Sequence, residues 1–368
     1  MTSWERIRAS IARQCPDRVP MLEIGFWNET IDRFYREGMP GEYYFQSPLW
    51  AGGKYIANHT VEDYFGLDRV AVMAYDYSLR LPHEIISETD DIVVYKSGDG
   101  LTYRAFKGVT APPQVIDSLV KTREDWELVK DRLAADPSRC FPGFADTHAT
   151  ATKCGAYRVI KPEEGCQYAI MLLKDEVCLE NMASDPDWIE DIVRTFTIRQ
   201  IEMMEVVLGQ GYEFEAMWVF SDLCYRNGML FSPRFYRERV MAYHKKMFGF
   251  CHAHGLQVIY HCDGLVEQFI PLLIEAGIDC IQPLEARCGN DVRKYKQQFG
   301  DRIAFMGNIN ADILGTTAGR IEKEVREKIC IAKQGGGYIF HSDHSVPPSV
   351  SLENYSLAVQ VARDSGLY

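Results

Sequence analysis

Through the C-terminal two thirds of the chain, short apolar runs alternate with longer stretches whose apolar positions recur every three to four residues. This is the pattern of strands alternating with amphipathic helices around a parallel sheet. Runs at 19–26, 68–74, 157–160, 212–219, 256–261, 278–283, 303–307 and 337–341 predict eight strands. Ser232-Pro233 opens a helix predicted to reach His254 and stop at Gly255, and Asp185-Pro186 opens another ending near Gly209. A small polar residue followed by Pro caps the first turn and pre-sets its φ, while Gly accommodates the left-handed turn that ends a helix. Eight such units predict an α/β fold, a single (β/α)8 TIM-type barrel domain spanning 1–368.

One stretch departs from the pattern. Ile92-Val93-Val94-Tyr95 and Leu101-Thr102-Tyr103-Arg104 flank Ser97-Gly98-Asp99-Gly100, which predicts a β-hairpin inserted at 84–107. Residues 116–133 read as a polar helix and 134–152 as a loop rich in small residues and Pro. Gly335-Gly336-Gly337 precedes a strand and reads as a joint, because a phosphate-binding loop needs a following helix.

Composition narrows the partners. With 46% hydrophobic residues in 368, a large core is feasible, and the formal charge of -12 disfavours nucleic acid and anionic membranes. Eleven scattered cysteines without CxxC pairs, and no secretory signal before Trp4-Glu5-Arg6, predict free thiols in a reducing, cytoplasmic setting. No apolar run reaches the roughly 18 residues of a membrane span.

Chemistry in a barrel gathers at the carboxyl ends of the strands. Those ends hold Trp27, Asp76, Glu163, Glu164, Asp222, His261, Asp263, Glu285, Asn308, Asn310, Asp343 and His344. In Tyr260-His261-Cys262-Asp263-Gly264, alternate residues share a face, so His261 and Asp263 converge while Cys262 points away. Imidazole with carboxylates suits zinc or another divalent ion, although Asp263 could instead only orient His261. Glu213 and Glu215 share a strand face, either as proton donors or as partners of Arg or Lys. Cys262, Cys280 and Cys288 read as small apolar residues, and His341 as a residue packed on the barrel wall.

Four ordered segments carry a resemblance: His261-Cys262-Asp263-Gly264, Pro283-Leu284-Glu285, Gly307-Asn308-Ile309-Asn310, and His344-Ser345-Val346-Pro347-Pro348 with Glu353-Asn354. Together with Pro16-Asp17-Arg18-Val19-Pro20, they resemble the uroporphyrinogen decarboxylase superfamily, in particular its corrinoid-dependent methyltransferase branch. The decarboxylases hold propionates with an arginine-rich N-terminal segment, whereas 23–29 here contains no arginine. The resemblance therefore implies a methyltransferase. Its metal site would be His261, Asp263 in place of a Cys, Glu285, and His344 in place of a late Cys. Exchanging both thiolates for oxygen and nitrogen donors makes the site harder and better matched to an oxygen leaving group.

The implied reaction moves a methyl group from a small, methoxylated aromatic donor to the cobalt of a corrinoid protein, an O-demethylation with a divalent metal, zinc by expectation, as cofactor. The corrinoid would come from a partner, since no cobalamin-binding module is present. Asp222, Glu215 and His344 are the expected catalytic groups; Trp27, Asp76, Trp218, Tyr225 and Asn308 the expected substrate contacts. A homodimer is compatible with the sequence. The alternatives are a decarboxylase or lyase acting on a small carboxylic acid or porphyrinogen-like substrate, with Asp76 and His344 as acid and base, and a noncatalytic binding barrel.

Overall fold

Val, Ile and aromatic runs bounded by polar turns bury both faces of a strand, so they form the interior sheet of the computed structural model, which describes residues 1–41, 61–108 and 112–368. In chain order the strands are β1 (Val70–Ala74), β2 (Glu84–Glu88), β3 (Ile92–Lys96), β4 (Leu101–Phe106), β5 (Gln114–Ser118), β6 (Tyr157–Lys161), β7 (Ala216–Phe220), β8 (Cys224–Tyr225), β9 (Gly228–Met229), β10 (Gln257–Cys262), β11 (Cys280–Pro283), β12 (Ala304–Met306) and β13 (Tyr338–Ile339). Seven are parallel neighbours in the order β1-β6-β7-β10-β11-β12-β13.

The predicted first strand, 19–26, closes this sheet into a TIM-type barrel without becoming a regular strand. The Leu22 N–H donates to the Phe340 carbonyl and the Phe340 N–H to Pro20, while on the other edge the Asp68 N–H reaches the Met21 carbonyl. Pro20 has no N–H to give, and the Ile24 N–H donates to the His341 ring, so the ladder is broken on both sides. Inward-facing residues form one cluster including Val72, Val159, Trp218, Ile259, Cys280, Met306 and Ile339. Ile7 and Ile11, from the first helix (Ser3–Ile11), join this cluster and plug its amino-terminal end.

The capped helices form as predicted. Pro186–Gly209 starts on the Asp185 carboxylate, and Ser232 caps Pro233–Phe235, which continues through a π-turn into Met241–Ala253 and ends before Gly255 at φ +74°. The insertion is larger than the predicted hairpin at 84–107: β2-β3-β4-β5 form a four-stranded antiparallel sheet reaching Ser118. Of its outer strands β2 is exposed throughout and β5 only partly buried, so they lack the period-two apolar signal. The predicted helix over 116–133 accordingly begins only at Arg123, capped by Thr122. The predicted loop contains a helix, Phe144–Lys153, whose threonines disfavour it locally but whose Phe144 and Ala151 are buried. Among the described residues no helix is long and apolar enough to cross a membrane.

Candidate active site

Period-two alternation carries each strand's inward face past the apolar layer to one more residue at the carboxyl end. Above Val159 stands Lys161, above Trp218 Phe220, above Ile259 His261, and above Cys280 Gln282; above Ile339, the next inward position holds His341. Lys161, Phe220 and His261 floor a pocket of about 430 Å³ walled by Trp27, Tyr77, Met171 and Pro283, with Asp222, Asp263 and His344 at one side.

A hydrogen-bond relay sets the tautomer of His261. The His341 ring Nε2 accepts from the Ile24 N–H at 2.7 Å and faces the Gln282 side-chain NH2 at 3.3 Å. Gln282 therefore turns its Oε1 to His261 Nδ1, 2.6 Å away, which must carry the proton. Burial lowers the His341 pKa to about 3, which keeps this ring neutral and able to accept. His261 Nε2 then faces Asp222 Oδ1 (3.5 Å) and Asp263 Oδ1 (3.7 Å).

The carboxylates are placed by backbone contacts. The Asp222 N–H donates to Gln167, and its Oδ1 accepts from the Asp263 N–H. Gly264 adopts φ +83°, where a Cβ would lie 2.7 Å from the Tyr225 carbonyl oxygen, so only glycine fits this turn. Its N–H donates to Glu285 Oε2 at 2.6 Å. Burial raises the Glu285 pKa, but this bond and Arg287 more than offset it, leaving the carboxylate below its usual range. Asp263 shifts upward because burial and Asp222 outweigh His261.

Two triads bring ligand atoms within 4.8 Å of one another: Asp222, His261 and Asp263, and Asp263, Glu285 and His344. Asp263 belongs to both, and its Oδ1 is buried without a hydrogen-bond partner. An unsatisfied carboxylate oxygen facing an imidazole nitrogen fits a divalent cation with oxygen and nitrogen donors. The four residues predicted as ligands are divided between these two triads, which Asp263 joins, and Asp222 stands beside His261 in the first.

Other predicted site residues fall elsewhere. Glu215 lies at the amino-terminal end of β7, where it binds the Arg158 guanidinium at 2.5 Å and the Arg158 N–H at 2.6 Å; it is an ion-pair partner remote from the pocket. Trp218 is buried one layer below, stacked under Phe220. Asp76 caps Ser78 and pairs with Arg80, and Asn308 braces three loops by accepting from the Val292 N–H and donating to the Leu284 and Asn290 carbonyls. Half-exposed Tyr225 lines a neighbouring cleft behind Asp263 and Glu285. Trp27 does line the pocket, its ring nearly parallel to His344. Cys288, read as a small apolar residue, instead donates its thiol to Glu285. Lys161, Phe220 and Gln282 were missed, although each is two residues beyond an inward-facing strand position.

Glu23, beneath His344, is fully enclosed. Ser342 Oγ lies 2.5 Å from both Glu23 Oε2 and the His344 carbonyl but has one proton to give. If that proton goes to the carbonyl, Glu23 must donate. Burial raises its pKa to about 8, against opposing hydrogen bonds from Ser342 and Tyr355. Since 4.5 is the unperturbed value, the folded state holds the extra proton between these limits. The resulting stability is complete below pH 4.5 and lost as pH rises through 8. Glu23→Gln is expected to gain on the wild type by up to about 1.4 kcal/mol per pH unit across that window. Parallel melting-temperature profiles for the two proteins would sink the assignment.

Fold and site define an α/β barrel whose polar cluster crowns the carboxyl ends of its strands. The chain belongs to the uroporphyrinogen decarboxylase (URO-D) family, whose model matches residues 169–365, more than half of it. It is similar to uroporphyrinogen decarboxylase of Pelobacter propionicus, 25% identical over 188 residues, covering 51% of this chain and 52% of that protein. A second similarity is to the Saccharophagus degradans enzyme, 29% identical over 87 residues, covering 24% of each chain. The chain thus aligns with between a quarter and about half of these relatives' lengths. A methyltransferase from Methanosarcina mazei shares the fold across 99% of both chains, with a TM-score of 0.67 and 17% identity.

Proposed function

We propose that this protein is a methyltransferase that takes a methyl group from a small methoxylated aromatic compound and delivers it to the reduced cobalt of a corrinoid protein. The observation that carries this function is the pair of ligand triads that share Asp263, with its unpartnered oxygen, beside an aromatic-walled pocket. A divalent ion, zinc by expectation, would be held by His261, Asp263, Glu285 and His344, and would supply Lewis acidity at the methyl-bearing oxygen. Phe220, stacked 4.6 Å from the His261 ring, offers its edge and Trp27 its ring to an aromatic substrate. Asp222, half-exposed at the pocket edge, takes a proton from solvent and passes it to the departing oxygen. Cobalt contributes both electrons of the new bond to carbon, and the ether oxygen leaves as a phenol. The shared fold with a methyltransferase supports this function.

The named decarboxylase relatives favour a second reading, loss of carbon dioxide from a carboxylic acid. Incubation with reduced corrinoid protein and a panel of methoxylated aromatics separates the two. Methyl transfer predicts a change in the cobalt absorption spectrum with at least one donor; an unchanged spectrum together with carbon dioxide release from a porphyrinogen would establish the decarboxylase.

A further inference from the structure

Lys161 is an unusual presence in the pocket. It ends β6, is only 4% exposed and lies on the pocket wall. A buried ammonium has three donors to satisfy and is costly without acceptors. It forms a long ion pair with Glu163 Oε2 at 3.6 Å, beyond hydrogen-bond length, and among the described residues its Nζ makes no hydrogen bond. Glu163 is engaged elsewhere, by the Tyr77 hydroxyl and by the Glu164 N–H at 3.3 Å. Lys161 is left over the faces of Phe220 (5.2 Å) and Tyr77 (6.0 Å), contacts that only partly replace water.

Phe220 links this cation to the candidate metal cluster. One phenyl ring stacks on His261 and also bears the Lys161 ammonium, so cation and imidazole contact the same ring. Resting on the methyltransferase function above, we propose that Lys161 is the anion anchor of the pocket and that the methyl donor is an aromatic carboxylate. Its ring lies against Phe220, its carboxylate accepts charge-assisted hydrogen bonds from Lys161, and its methoxy oxygen reaches the His261 end. Lys161 thereby selects acids over neutral methoxybenzenes.

Calorimetric titration of the full chain with benzoate and with benzamide, its uncharged counterpart, tests the anchor. The wild type is expected to bind benzoate at least about tenfold more tightly than benzamide. Lys161→Met is expected to weaken benzoate binding by about tenfold to a hundredfold, leave benzamide within experimental scatter, and be partly rescued by Lys161→Arg. Equal binding of both probes by the wild type overturns the proposal, as does undiminished benzoate binding by folded K161M; if K161M does not fold, the wild-type comparison decides. These titrations need no methyl transfer. Benzoate preference without cobalt methylation refutes the methyltransferase and leaves the anchor standing, whereas equally fast cobalt methylation from methoxybenzene and para-methoxybenzoate keeps the reaction and removes the anchor.

Discussion

His261→Ala protein, reconstituted with zinc and dialysed, is expected to retain less than about one hundredth of the wild-type metal affinity and to lose methyl transfer by more than about a hundredfold. The buried imidazole contributes a neutral donor whose tautomer is already set by the Gln282 bond, so ligation costs little reorganisation. Without it, Asp222 and Asp263 face each other's charge with no nitrogen between them. Gln282→Leu keeps the ring but frees Nδ1, and affinity should fall by about tenfold to a hundredfold, the usual effect of losing a ligand's own support. Chelator competition reads both values. If H261A holds an equimolar divalent ion as tightly as the wild type, the cluster is not a metal site.

Glu215→Ala is expected to act on stability and not on chemistry. Arg158 donates three hydrogen bonds to this carboxylate from its guanidinium and a fourth from its backbone N–H. Breaking a buried pair typically costs about 3–5 kcal/mol because the remaining charge is stranded. Arg158 keeps a partly exposed edge and a contact to Glu213, so about 2–3 kcal/mol is expected here. Denaturant unfolding measures the loss, and turnover per folded molecule should match the wild type. An unchanged midpoint with turnover reduced more than about tenfold would restore Glu215 as a proton donor.

The two carboxylates differ in how far local pattern reaches. Asp263 comes to lie beside His261 because residues two apart at a strand's carboxyl end share a face. Glu215 has the same residue chemistry and a neighbouring apolar run, but the strand begins at Ala216, four residues later than the pattern predicts. That offset puts Glu215 at the opposite end of the barrel from the pocket. Boundaries of this kind depend on which neighbour supplies the ladder: the Glu215 N–H pairs with the Arg158 carbonyl before the regular strand starts. The exposed sheet at 84–118 escaped for a related reason, since strands with little burial carry little apolar periodicity.

What the sequence determined by itself is the repeating βα order, the capped helices and the family motifs, all properties of residues close together along the chain. The two triads of Asp222, His261 and Asp263 and of Asp263, Glu285 and His344 were legible only as strand-end positions, and their distances belong to the closed barrel. Tertiary structure alone decided the His341-Gln282-His261 relay, the enclosure of Glu23 and the placement of Lys161 over Phe220. Each joins different strands or loops, and its chemistry depends on how far water has been excluded between them, a quantity no local pattern of residues encodes.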